Sequence, residues 1–278
     1  MTGVDEREVQ HDIETPAPVQ IRFGIDFVAA SLADATVVMS MPMSGLRNPF
    51  TGAPAVGPLA ILVDAAAGMV NHYRRQRDRW TVSSELSLEV SANVNDAMAD
   101  GAPPVVASAR AVGSVGATPL ALCTLMCGET EIGIGTVRSA FIPADGVTAK
   151  QPPRTLLRGT PTLGERMAVQ VDTGQHGAIV LRQHPDPDLN NDIGIVHGGM
   201  ASAGLELAAS AAMNADRFGD RFQTASLRVN FLRPFFAGGT SSYVATPVRV
   251  GRSAGVADAQ AIGDDDRVAL TARVTAYR

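Results

Sequence analysis

Residues Val196-His197-Gly198-Gly199-Met200 join a polar loop to an apolar, Ala-rich run. Two glycines at such a junction permit a tight turn and close backbone approach. The N–H groups of a helix start carry partial positive charge. They suit an anion, or an oxygen that develops negative charge during a reaction. Nine residues after His197 comes Glu206, inside Leu205-Glu-Leu-Ala-Ala. A lone carboxylate on a buried helix is expensive. One with a raised pKa suits a general base or a nucleophile. Asp64 lies nine residues after Ala55, so it holds the matching place in the first half. That recurrence argues against two solvent-facing accidents. The plainer reading of the loop is a Gly-rich turn whose His197 merely caps a helix.

The acid is too far from its own helix start to serve it. At ~1.5 Å rise per residue, nine residues span roughly 13 Å. Each acid must therefore act at the opposite half's helix start, across a pseudo-twofold interface. Two sites are expected: Asp64 facing His197-Gly198, and Glu206 facing Ala55-Val56. The first has the His, the Gly198-Gly199 start and Asn191, six residues upstream of His197. The second has Ala55 for the His and Val56-Gly57 for the two glycines, and its Asn48 is offset by one, with Pro49 at the strict position. A backbone N–H survives any side-chain change except Pro, so the second site is weakened rather than removed.

The elements that position these residues form an internal repeat. The hydrophobic pattern of the first half returns about 142 residues later. Thr36–Met41 matches Ala178–Gln183, Gly52–Gly57 matches Gly194–Gly199, and Pro58–Met69 matches Met200–Ala211. With a shift of one residue, Leu86–Val90 matches Leu227–Phe231. Each half reads as two strands (about 20–30 and 35–41; 165–172 and 178–183), then a loop and a long helix (58–77; 199–217). The helices are apolar nearly all round, as buried helices should be. Their last turns are charged, with Arg74, Arg75 and Arg77, then Asp216 and Arg217. Strands follow at 82–91, 105–112, 117–127 and 132–141, and at 224–232, 240–250, 254–262 and 267–276. The expected class is α+β, with each half a sheet wrapped around one central helix. The expected divisions are a disordered acidic tail over 1–18, a first repeat over 19–145, a Pro-rich linker over 146–161 and a second repeat over 162–278.

Composition narrows the function. The chain has 278 residues, 45% hydrophobic and 18% charged, with a formal net charge of −5. A mildly acidic chain is a poor binder of phosphate backbones, so nucleic acid is not an expected partner. The best apolar run, Leu59 to Val70, contains Asp64 and is shorter than the ~20 residues a membrane helix needs. Neither a membrane partner nor a signal peptide is expected. Cys123 and Cys127 lack the further ligands a zinc site needs and read as buried thiols of a reducing compartment, the cytoplasm. Charge is uneven: residues 1–150 carry 10 basic and 16 acidic side chains, residues 151–278 carry 13 and 12.

Asn191-Asp-Ile-Gly-Ile-Val-His-Gly-Gly199, followed by Glu206, resembles the signature of hot-dog fold acyl-CoA thioesterases. The nearest types are the phenylacetyl-CoA and 4-hydroxybenzoyl-CoA thioesterases. The motif covers about 191–210, and the sheet–helix–sheet pattern covers nearly all of both halves. The resemblance implies a double hot-dog, two fused repeats in place of a homodimer, and an acyl-CoA substrate. It implies that the Gly198 N–H polarises the thioester carbonyl. Asn191 would position substrate or water, and His197 would orient the loop or contact the thioester. A carboxylate of the other half would attack the carbonyl or activate water. Ser210 matches a family hydroxyl that holds the water, whereas Gly68 stands there in the first half. Better acid support thus lies with Glu206, and the better oxyanion loop lies opposite Asp64. Gly199, Val56 and Gly57 would lie along the substrate. Arg252, in Val250-Gly-Arg-Ser253, sits where related enzymes bring a turn near the CoA arm. Arg228 and Arg233 are weaker candidates of the same kind.

Other motifs carry less. Gly251-Arg-Ser-Ala-Gly255 fits GxSxG, but the pattern after it is strand-like and no His follows. Asp186–Asp192 lacks the Gly and Glu of a calcium loop and reads as a turn. Asp264-Asp-Asp266 reads as a solvated hairpin turn. No metal or redox cofactor is expected, since backbone dipoles polarise the carbonyl. Many Ala, Leu, Met and Val near the helices allow a medium aliphatic or small aromatic acyl group. Two rival functions are a non-catalytic acyl-CoA-binding protein and a hot-dog hydratase or dehydratase. Association of such units into a homo-oligomer is allowed but not fixed.

Overall fold

The computed structural model describes residues 4–145, 157, 159–173, 179–215 and 221–278. Most of the expected linker, and Asp216 and Arg217, lie outside the described residues. The chain opens with helix α1 (Glu6–Glu14), where the sequence reads as a disordered tail. Asp5 caps it by accepting from the Arg7 and Glu8 N–H groups. Acidic Glu6 and Glu8 suit the positive end of the helix dipole. Tertiary contacts hold it: Val9 and Asp12 are buried, and Arg75 and Arg77 pair with Glu8 and Asp5.

The segments read as opening strands each start with a short helix. Helix α2 (Pro18–Phe23) leads into β1 (Asp26–Ser31) and β2 (Thr36–Met41). Pro18 opens α2 and Gly24 closes it in the left-handed region. In the second half, α5 (Leu163–Met167) starts with a Thr162–Glu165 capping box and leads into two further strands. The buried pairs Val19/Phe23 and Leu163/Met167 are four residues apart. That spacing shares a face in either a strand or a helix, so the caps decide.

The central helices are α3 (Pro58–Tyr73) and α6 (Gly198–Asn214). After α3 come β3 (Arg79–Val90), the short α4 (Val94–Ala97), β4 (Val105–Val112), β5 (Leu120–Cys127) and β6 (Thr130–Pro143). The second half contributes β7 (Val169–Thr173), β8 (Ile179–Gln183), β9 (Gln223–Phe231), β10 (Ser242–Val250), β11 (Ala254–Ile262) and β12 (Val268–Tyr277). The twelve described strands form one sheet, in the order β1-β2-β4-β5-β6-β3-β9-β12-β11-β10-β8-β7. Read inward from either edge, each half has the same order of connection.

The halves meet where β3 runs antiparallel to β9. Glu85 pairs with Asn230, Ser87 with Arg228 and Glu89 with Ser226. Inward-facing Leu86, Leu88, Leu227 and Val229 are buried, while Arg228 pairs across the seam with Glu89 at 2.6 Å. Alternation of this kind fixes register, since a slip of one residue would expose the apolar set. Arg22 of α2 forms a second tie between the halves: it is itself buried and pairs with Asp186 and with buried Asp188. The Asp186–Asp192 segment is therefore a turn, with a 3-10 stretch at Pro187–Leu189, and it is also an ion-pair anchor.

Candidate active site

Helices α3 and α6 touch at their starts. A Cβ on Gly199 would come within 2.6 Å of the Ile61 Cα, and one on Gly57 within 2.9 Å of the Ala203 carbonyl oxygen. Only glycine lets each start lie this close to the other helix. The contact brings each acid to the opposite start. Gly199 N–H donates to Asp64 Oδ2 at 2.7 Å, and Gly57 N–H donates to Glu206 Oε2 at 2.9 Å. The donors thus sit one residue further along than Gly198 and Val56, which the sequence put opposite the acids.

Each acid takes a second bond from a hydroxyl on the sheet. Ser83 Oγ donates to Asp64 Oδ1 at 2.7 Å, and Thr224 Oγ1 donates to Glu206 Oε1 at 2.6 Å. Ser83 and Thr224 are equivalent under the shift that aligns Leu86 with Leu227. In both strands the ladder breaks register just after this residue, between Ser83 and Glu85 and between Thr224 and Ser226. Such bulges turn a side chain off the regular pleat. Sequence reasoning misses both hydroxyls and points to Ser210, whose carbonyl accepts from Asn214 Nδ2 at 2.9 Å. The strand alignment contained the missing signal.

His197 is the N-cap of α6. Its Nδ1 accepts from Gly199 N–H at 3.2 Å and lies 3.4 Å from Asp64 Oδ2. The Gly198 N–H comes first in the helix and has no acceptor among the described residues. Asn191 Oδ1 accepts from the Ile193 and Ile195 N–H groups, both at 3.2 Å. It therefore shapes the loop that delivers His197. Asn48 instead crosses to α6 and donates to the Leu207 carbonyl at 3.0 Å.

The two acids differ in their surroundings. A cavity of about 640 Å³ is lined by Asp64, Ser83, Asn191, His197 and Gly198, and also by Phe231. Glu206, Gly57 and Val56 are not among its lining residues. Glu206 is 2% exposed and Asp64 7%. Burial pushes the Glu206 carboxyl up to about 7, against the opposing pull of its Thr224 and Gly57 bonds. Arg252 sits in the exposed β10–β11 turn and does not line the cavity. Arg228 is occupied at the β3–β9 seam, whereas Arg233 is at the cavity wall. Cys123 and Cys127 are free and buried. Among the described residues, no group of three or more His, Cys, Asp or Glu side chains is placed to hold a metal ion. No described helix is long and apolar enough to cross a membrane.

An aligned helix-start amide, a carboxylate and a cavity can hold an anion or a polarised carbonyl beside a base. Residues 187–277 match the acyl-CoA thioesterase N-terminal domain family. No curated protein matches the chain. Its fold is similar to that of a TesB protein from Mycobacterium avium subspecies paratuberculosis, 10% identical with a TM-score of 0.62, covering 93% of this chain and 97% of that one. Acyl-CoA thioesterase II TesB2 from Mycobacterium marinum is 10% identical with a TM-score of 0.58, over 93% and 96% of the two chains. An acyl-ACP thioesterase from Bacteroides thetaiotaomicron is 10% identical with a TM-score of 0.55, over 89% and 100%.

Proposed function

We propose that this chain, a thioester hydrolase of the hot-dog acyl-CoA thioesterase superfamily, cleaves an acyl-CoA at one site, built by Asp64 of one half and the α6 start of the other. The family match of residues 187–277 supports the activity. One observation carries the choice of site: Asp64, His197 and Gly198 open onto the large cavity, while Glu206 does not. We read the two halves as fused hot-dog units, on the strength of their common strand order.

In this reading Gly198 N–H takes the thioester oxygen. Asp64, oriented by Ser83 and Gly199, accepts a proton from water as that water's oxygen bonds to the carbonyl carbon. Gly198 then holds the oxyanion. Collapse breaks the carbon–sulfur bond, and the proton on Asp64 passes to the leaving sulfur. His197 fixes the loop through its bond from Gly199. The Glu206 site serves as structure, tying the α3 start to α6 through Gly57. Arg233, at the wall, faces the anionic CoA arm. The free thiols of Cys123 and Cys127 fit a reducing compartment such as the cytoplasm.

Release of free thiol from acyl-CoAs tests the reading. Turnover should fall by about 10²–10⁴ in Asp64→Asn and persist in Glu206→Gln. Hydrated acyl-CoA without free thiol would select a hydratase, and binding without turnover would select a carrier.

A further inference from the structure

The cavity continues beyond Asp64 along one face of α3. Asp64, Gly68 and His72 all line it, at intervals of four residues. Gly68 therefore stands about 6 Å past the acid and His72 about 12 Å past it, at ~1.5 Å per residue. The 190–197 loop, the 54%-exposed Leu232 and Arg233 line another part, which suits a CoA arm lying partly in solvent.

Glycine is a poor helix former, so one kept inside a helix needs a reason. Two glycines of α6 have theirs in packing. A Cβ on Gly199 would lie 2.6 Å from the Ile61 Cα, and one on Gly204 2.4 Å from the Tyr243 ring. Gly68 has no such neighbour. Beyond its own helix backbone, a Cβ there would meet Asp64 Oδ1 at 3.7 Å, an ordinary van der Waals contact, and would otherwise enter open space. That space belongs to the cavity. At the matching place the second half has Ser210, one turn after an acid that does not line this cavity.

The cavity around this opening has apolar walls. Ala65 and Met69 adjoin it on α3, and Val19, Ile25, Val82 and Ile142 line the same space. Past them comes His72, whose carbonyl accepts from Arg75 of the Glu8–Arg75 pair. An extended alkyl chain gains about 1.2 Å per bond, as extended backbone does. With the carbonyl carbon beside Asp64, a butanoyl chain ends about 4 Å on, short of the Gly68 level. An octanoyl chain ends about 8 Å on, past Gly68 and short of His72. Its later methylenes leave water for apolar walls, which strengthens binding.

We propose that Gly68 sets the acyl length of this site: its bare backbone lets a medium aliphatic acyl chain pass from Asp64 along α3, where a side chain would stop it. The proposal rests on the single-site thioesterase reading above and adds to it a residue that selects the substrate.

The test measures kcat/KM for butanoyl-CoA and octanoyl-CoA on the full chain and on Gly68→Leu, with thermal unfolding as a check of integrity. The wild type should prefer octanoyl-CoA by about tenfold or more, since four further methylenes leave water. Gly68→Leu fills the passage and should cut that preference by roughly tenfold. Disturbance of Asp64 alone lowers turnover of both substrates and leaves their ratio. Gly68→Ala should raise the unfolding temperature through better helix propensity and cut the preference by about threefold. A wild type that uses butanoyl-CoA equally or better overturns the proposal. So does an unchanged ratio in Gly68→Leu, or in Gly68→Ala where the leucine variant does not fold. If neither thioester is cleaved by the wild type, the hydrolase reading fails by itself. Equilibrium binding of the same two compounds to wild type and variants then decides the role of Gly68 by the same ratio.

Discussion

The two acid sites share a frame and differ in what fills it. Both have a carboxylate on a central helix, a glycine amide from the opposite helix start and a hydroxyl beside a bulge. Around Asp64 the frame carries His197, Gly198 and Gly68. Around Glu206 it carries Ala55, Val56 and Ser210. At the place of His72, which lines the cavity, the second half has Asn214, whose amide bonds Phe222 in both directions. The same hydrogen bonds thus hold an acid that lines this cavity and an acid that does not. They position a carboxylate without giving it access.

Removing each acid's charge in turn should separate the two sites most. Asp64→Asn should lower kcat by about 10²–10⁴, the usual worth of a general base. Glu206→Gln should leave kcat within about twofold under the same thiol-release assay. Equal losses in the two variants would make the sites functionally equivalent.

Glu206 should reveal itself in stability instead. Its folded pKa is raised from 4.5 to about 7. The folded state therefore binds more protons than the unfolded chain between those values, and stability falls as pH rises through that window. The full effect is about 3 kcal/mol, from ~1.4 kcal/mol per pKa unit. Urea unfolding at pH 4.5 and pH 7.5 should show the loss in the wild type and a flatter profile in Glu206→Gln.

The glycines at the helix contact should separate the sites less. Gly57→Ala and Gly199→Ala force the same helix contact apart, at about 1–3 kcal/mol each by overpacking. Thermal unfolding should place the two close together. Activity per folded molecule should fall only for Gly199→Ala, which displaces Asp64. The hydroxyls give the smallest effects. Thr224→Val should cost about 1 kcal/mol of stability. Ser83→Ala should cost a similar amount in the activation barrier, seen as a several-fold lower kcat.

Much of this frame is legible in the chain itself. The helices and most strands follow from apolar period, and the placing of each acid at the opposite helix start follows from nine residues being too long a reach within one helix. The short helices α2 and α5 read as strands because apolar residues four apart share a face in either element. The helix α1 reads as a tail because its composition is that of a solvated segment. Arg75 and Arg77 hold it, and they are about seventy residues away in sequence. The Ser83 and Thr224 hydroxyls depend on bulges, which period-two patterns do not record.

The matching order of elements in the two halves, the two apolar helices and the one acid on each are legible in the chain, because periodicity and burial cost are local properties. Which acid lines the cavity described above, and which arginines stand beside it, follow only from the packing of distant segments. Those depend on where α1, the β3 and β9 bulges and the 190–197 loop come to rest against one another. Contacts of that kind join residues too distant in the chain for any local pattern to encode.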